Sequence, residues 1–138
     1  MLWLFRLFLA THVKFYQLSG GRIGGRMMGG DVLLLTTIGR KSNKKRTLPV
    51  MYLRDGENYL VAASAGGDSK NPGWYWNAAK GSQPVNVQVG REKISVTVTD
   101  AEGQQREEFY QRFVEFSEQF AKYREAAKRD IPVLILTP

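Results

Sequence analysis

A chain of 138 residues, 43% of them hydrophobic, can build one self-sufficient core and is too short for two ordinary domains. It has no cysteine and one histidine, His12, which excludes disulfides, thiolate nucleophiles, cysteine zinc sites and multi-histidine metal cages. Twenty Lys and Arg against thirteen Asp and Glu leave a net charge of +7, which points to an anionic partner: nucleic acid, an acidic membrane surface or a phosphorylated small molecule.

Residues 2–18 carry a helix, apolar almost all round at first and mixed from His12 onward. The opening MLWLFRLFLA is too short to span a membrane and has neither the basic start nor the small-residue cleavage site of a signal peptide. Six glycines from Gly20 to Gly30 then form a connection over 19–30 that fits no phosphate-binding glycine motif and lets the first helix fold over the rest. VLLLTTI (32–38) is a buried strand, and TLPVMYLR (47–54) a second, with Pro49 placing it at an edge or bulge. Asp55-Gly56 turns the chain into NYLVAAS (58–64). PVNVQVG (84–90) and REKISVTVT (91–99) alternate cleanly about a turn at Gly90, and IPVLIL (131–136) is a sixth strand. Pro72 opens a short helix near 72–80. Asp100 is positioned to cap a long helix near 102–128, along which Phe109, Phe113, Phe116, Phe120 and Tyr123 form one aromatic stripe. The expectation is a single α+β domain over 1–138: about six mostly antiparallel strands closed as a small barrel, with three helices.

The densest chemical signal is TTIGRKSNKKRTLPV (36–50), where Arg40, Lys41, Lys44, Lys45 and Arg46 crowd one turn between two strands. Consecutive backbone N–H groups in such a turn form an anion nest, and arginine adds bidentate phosphate contacts. A second signal is SAGGDSKNPGWYWN (64–77), a glycine-rich loop ending at a helix N-terminus and followed by Trp74, Tyr75 and Trp76. Together they offer cations for a charged tail, and backbone donors and aromatics for a flat ring.

These segments, with LLLTTIGRKSNKKRTLPV, LVAASAGGDSKNPGWYWN and RDIPVLILTP as the carrying blocks, resemble the deazaflavin-dependent nitroreductase family from about Gly20 to Pro138. The resemblance implies a split β-barrel that uses coenzyme F420 and passes hydride to quinones, enones or nitroaromatics. It implies that Arg40, Lys41, Ser42, Lys44, Lys45 and Arg46 hold the phosphate and glutamate tail. Asn43 stands where the family has a glycine, a substitution that tolerates left-handed backbone. The ring would lie against Pro49, Val50, Met51, Ala62, Ala63, Ser64 and Ala65, with Gly73, Trp74, Tyr75, Trp76 and Asn77 closing over it. Ser64 or a backbone N–H would polarise the ring carbonyl, and Tyr123, eight residues before Ile131, would stand nearest the electron acceptor.

The reading is therefore an F420-dependent reductase with a small-molecule redox substrate, no metal, no nucleic acid and no obligate protein partner. FMN in place of F420, a non-catalytic carrier of either, and a basic nucleic-acid-binding barrel are the alternatives. Leu2, Trp3, Leu4, Phe5, Leu7, Phe8 and Leu9 give two further expectations for residues 2–9: peripheral membrane contact, or packing over the substrate pocket. The expected location is the cytoplasm, or the inner face of the cell membrane if the helix anchors there.

Overall fold

The computed structural model describes residues 2–27 and 29–138, with the side chain of Leu2 outside the described set. Helix α1 (Leu2–Ser19) leads into β1 (Arg26–Met27) and β2 (Gly30–Ile38). β3 (Lys45–Met51), β4 (Leu53–Asp55) and β5 (Asn58–Ala62) follow, then a 3-10 turn at Ala65–Gly67 and α2 (Gly73–Ala79). β6 (Val85–Val89), β7 (Glu92–Asp100), α3 (Gly103–Phe116), α4 (Glu118–Ala127) and β8 (Val133–Thr137) complete the chain. Strands pair antiparallel in the order β1-β2-β6-β7-β8-β5-β4, with β3 also on β2. The sheet thus ends at β3 on one side and at β4 on the other. Those two strands are separated by Tyr52 alone, so the chain itself draws the two edges together into a split barrel.

The period-2 alternation of the strands divides the apolar residues among three clusters. Leu33 and Leu35, Tyr59 and Val61, Val85 and Val87, and Leu134 and Leu136 fill the barrel, joined by Tyr75 and Ala78 from α2. Their neighbours Leu60, Ala62, Val133 and Ile135 face the other way, against Tyr110, Phe113 and Phe120 of α3 and α4. Val32 and Leu34 face Tyr16 and Val13 of α1. Strands covered on both faces read in sequence as unbroken apolar runs, which is why VLLL and VLIL show little alternation.

Several sequence expectations need correction. TLPVMYLR is two strands, because Tyr52 is where the chain leaves one edge of the sheet for the other. The glycine-rich connection contains β1, paired to β2 through Arg26 with Asp31 and Met27 with Gly30. Asp100 ends β7 instead of capping a helix, and Glu102 occupies the N-cap of α3 without a side-chain bond. The long helix breaks at Ser117, whose backbone is extended (φ −152°, ψ 127°) and whose hydroxyl accepts the Gln119 N–H at 3.3 Å. Serine is a strong N-cap, and Glu118 behind it suits the positive end of the new helix. The break re-phases the aromatic stripe: Phe116 turns to solvent, Phe109 is half-buried, and Tyr110 joins the core with its hydroxyl donating to Phe120 O at 2.7 Å.

α1 is fixed at its C-terminal half. The Tyr16 hydroxyl, in a side chain only 1% exposed, donates toward Val32 O (2.9 Å) and Gln88 O (3.2 Å) and accepts the Gly90 N–H (2.9 Å). Gly21 (φ +89°) lets the following turn approach Gly90 backbone to backbone, where a Cβ would meet the Gly90 Cα at 3.0 Å. Removing only the hydroxyl takes the acceptor from the Gly90 N–H and a shared donor from the Val32 and Gln88 carbonyls. Tyr16→Phe is expected to lower unfolding free energy by about 1–3 kcal/mol, read from urea midpoints at unchanged slope; an unmoved midpoint would show that the hydroxyl adds nothing.

Candidate functional site

The β2–β3 turn is built to expose cations. The Gly39 N–H donates to Lys44 O (2.8 Å) and the Asn43 N–H to Gly39 O (2.9 Å), while Asn43 sits at φ 59°, the left-handed geometry its side chain tolerates. The Ser42 hydroxyl accepts the Lys44 N–H at 3.3 Å and fills the space a Cβ on Gly39 would need, 2.4 Å away. Arg40 anchors the turn to α2: its N–H donates to Asn77 Oδ1 at 3.1 Å, and its guanidinium lies 5.9 Å from the Trp76 ring centroid. Among the described residues, no ion pair engages Arg40, Lys41, Lys44, Lys45 or Arg46. That leaves a concentrated positive charge without a protein counter-charge.

A cleft of about 880 Å³ runs from this turn. Arg40, Lys41, Ser42 and Arg46 line its charged end; Ala65, Pro72, Gly73, Trp74 and Asn77 line the side toward α2; Thr37, Thr47 and Leu48 come from β2 and β3. The cleft is closed over by Phe5, Arg6, Leu9 and Ala10 of α1, which sequence reasoning left with two possible roles. Their contribution was signalled by the helix being apolar on more than one side, a pattern that requires more than one buried face.

Other expected site residues lie outside this cleft. Asn43 lines a neighbouring crevice of about 240 Å³ with Arg40, Lys80 and Gly81. Lys45, one residue from Arg46 and so on the other face of β3, lines a polar groove with Lys93 and Gln88. Lys44 is exposed and closes the turn through its backbone. Val50 packs on the barrel interior, Met51 belongs to the cluster under α3 and α4, and Pro49 sits half-buried opposite Leu34. Ala62 and Ala63 are buried in those same two clusters. Tyr75 points into the barrel and donates to Asp100 Oδ2 at 2.5 Å; burial first, and then this bond, push its pKa up to about 12, so it stays a neutral donor at physiological pH. Trp76 is exposed beside Arg40.

The loop between β5 and α2 carries three successive left-handed residues, Ala65 (φ 48°), Gly66 (φ 63°) and Gly67 (φ 89°). For Ala65 that geometry costs about 1–2 kcal/mol. Sequence reasoning gave no role to Arg129, which holds this loop. Its Nε donates to Asp68 O (3.0 Å), Nη1 to Asn71 Oδ1 (2.5 Å), and Nη2 toward Ala63 O (3.2 Å), Ser64 O (3.3 Å) and Lys70 O (3.1 Å). Ser64 therefore engages the clasp through its carbonyl, and its hydroxyl makes no cap to the 3-10 turn. Tyr123, half-buried on α4 and edge-on to Phe120 (5.6 Å, 88°), is not among the cleft's lining residues. It stands against Gly67, whose Cβ would lie 3.4 Å from the Tyr123 Cα, and so borders the cleft through the turn that carries Ala65.

A split barrel whose cleft joins an uncompensated cationic turn to a wall of backbone, alanine and tryptophan defines a small cofactor-binding protein. The model of the F420H2-dependent quinone reductase family matches residues 8–138, and the chain belongs to that family. A quinone reductase of this type from Mycobacterium tuberculosis is 36% identical over 135 residues, covering 94% of this chain and 89% of the relative. Among solved structures, an F420H2-dependent reductase is 39% identical with a TM-score of 0.67, covering 76% of this chain and 92% of its own. Another, described as a domain-swapped dimer, is 33% identical with a TM-score of 0.70, covering 92% and 94%. The chain is thus an F420-dependent reductase with coenzyme F420 as its cofactor.

Proposed function

We propose that the cleft holds F420 with its phosphate and glutamyl tail at Arg40, Lys41, Ser42 and Arg46 and its ring toward Ala65, Gly73 and Trp74, and that the acceptor is a quinone. The observation that carries this reading is the unpaired cationic turn at one end of a cleft large enough for an elongated cofactor. The donor set suits the group: arginine and lysine match phosphate and carboxylates, while the opposite wall offers flat apolar surface and backbone polar groups. When bound in its reduced form, F420 supplies a hydride, and the quinone completes its reduction to the hydroquinone with a proton from solvent.

The chain's own residues bind, orient and exclude water. α1 lays Phe5 and Leu9 over the cleft, limiting solvent at the reacting end. The Ser64 hydroxyl or a backbone N–H of the following turn polarises the ring carbonyl. Tyr123 keeps the acceptor-side role: its backbone borders the turn at Ala65–Gly67, its side chain is half-buried, and in this reading its phenol donates a hydrogen bond to a quinone oxygen as negative charge develops. Enones and nitroaromatics are acceptors of the same hydride chemistry and serve as comparison substrates; FMN is the competing cofactor.

The outer side of α1 supports a further part of this reading, peripheral contact with a membrane that holds lipid-soluble quinones. Trp3 (67% exposed), Leu4, Leu7, Phe8 (64%), Phe15 and Leu18 (76%) lie opposite the residues that meet the cleft and the body. Lys14, on the same side of the helix, is positioned to reach anionic headgroups. No helix among the described residues is long and apolar enough to cross a membrane.

Arg46→Ala is expected to weaken F420 binding by roughly 1.5–3 kcal/mol, with wild-type affinity falling as salt rises because the cations are exposed. Fluorescence titration against F420 and FMN measures both effects, and tenfold tighter FMN binding would overturn the cofactor placement. Tyr123→Phe keeps the ring and should lower menadione turnover by roughly tenfold to a hundredfold, with F420 affinity unchanged; full turnover would return the residue to packing. In liposome flotation with anionic vesicles, the full chain should float and a chain starting at Thr11 should not. Equal flotation would remove the membrane contact.

A further inference from the structure

The loop from Ala63 to Asn71 is short of regular structure yet shapes one wall of the cleft, with Ala65 in the lining and Pro72, Gly73 and Trp74 following directly. Left-handed backbone at a non-glycine residue persists only where the surroundings over-determine it. Here α4 backs the turn at Gly67 through Tyr123 and Ala126, and one side chain reaches across the rest of the loop. A guanidinium has five N–H donors in a rigid plane, and Arg129 has five acceptors around it, four of them backbone carbonyls of this loop and the fifth the Asn71 amide oxygen. Arg129 is itself absent from the cleft lining, so it grips the loop from behind and does not touch what the cleft holds.

We propose that Arg129 is a positioning residue: by gathering the carbonyls of Ala63, Ser64, Asp68 and Lys70, it holds the Ala65–Gly67 turn in the shape against which the cofactor ring is seated. The proposal rests on the F420 reading above. Lysine cannot substitute, because an ammonium keeps the charge but has three donors at one point and cannot span acceptors spread along nine residues of chain. The clasp also explains how the loop keeps its geometry with little apolar anchorage of its own: Ala65, Gly66, Asp68, Ser69 and Lys70 are all exposed.

The experiment compares Arg129→Lys with Val133→Ala, a core substitution outside the cleft chosen to give a matching loss of melting temperature. Arg129→Lys should raise the Kd for F420 about tenfold or more at an unchanged salt slope, because the cationic turn is intact. Hydrogen exchange should rise across residues 63–71 in Arg129→Lys and not in Val133→Ala. Wild-type Kd in Arg129→Lys, or a rise no larger than that in Val133→Ala, would overturn the proposal. Should Arg129→Lys fail to fold, Asn71→Ala removes one acceptor and should raise Kd about threefold with a smaller change in the same exchange window; no change in either would overturn it equally. Failure of the wild type to bind F420 at all would instead refute the cofactor reading, and the exchange comparison would still report whether Arg129 clasps the loop.

Discussion

The single residue between β3 and β4 constrains everything else in this fold. At Tyr52 the chain steps from one edge of the sheet to the other, so the barrel is closed by covalent continuity instead of by a strand-to-strand ladder. The Tyr52 N–H donates to Asp31 O at 3.0 Å, and its ring meets Tyr59 edge-on at 5.2 Å, which ties the crossing point to both edges. Arg54, 4.2 Å from the Tyr59 ring centroid, covers the same aromatic from the β4 side. Closure of this kind leaves β3 paired only to β2. Pro49, which has no N–H to offer a further strand, is tolerated there for that reason.

Closure also sets which cations can share a ligand. β3 is registered on β2 so that Arg46 opposes Thr37 and Leu48 opposes Leu35, and these positions face the barrel side and the cleft. Lys45 alternates to the other face, while Thr47 bonds the Thr36 hydroxyl at 2.8 Å and borders both the cleft and the polar groove. A slip of one residue would exchange the two sets, turning Arg46 away from the cleft and Met51 out of the core. The cationic end of the site is therefore specified by the same alternation that fills the core. Asn77 then fixes the turn to α2, so the charged end and the ring end of the cleft belong to one packed unit.

Much of this was legible from sequence wherever a local signal and a tertiary one agree. The Asp55-Gly56 hairpin, the strand pair about Gly90, the helix over 2–18 and the cationic turn all appear in place. The break at Ser117 was hidden because the aromatic spacing from Phe113 to Phe120 fits a continuous helix, and only the cap at Ser117 betrays the restart. The division at Tyr52 was hidden because both halves favour extended backbone; the distinction lies in which partner each half finds. At the site, the motif blocks brought Arg40, Lys41, Ser42, Arg46, Ala65, Gly73, Trp74 and Asn77 to one cleft. They could not show that Pro49 and Met51 face away from Val50, a matter of strand alternation, nor that Arg129 reaches back some sixty residues to the loop.

The placement of the tryptophans gives the molecule two separate optical reporters. The chain has three: Trp74 and Trp76 stand in and beside the cleft, while Trp3 projects from the outer side of α1. An indole in water emits to the red of one in an apolar medium, so a blue shift from Trp3 marks burial of the outer helix face. Quenching of the other two marks occupancy of the cleft. A protein retaining Trp3 alone, and its counterpart lacking only Trp3, would let the two events be followed independently, without an added dye and with no cysteine to complicate the signal.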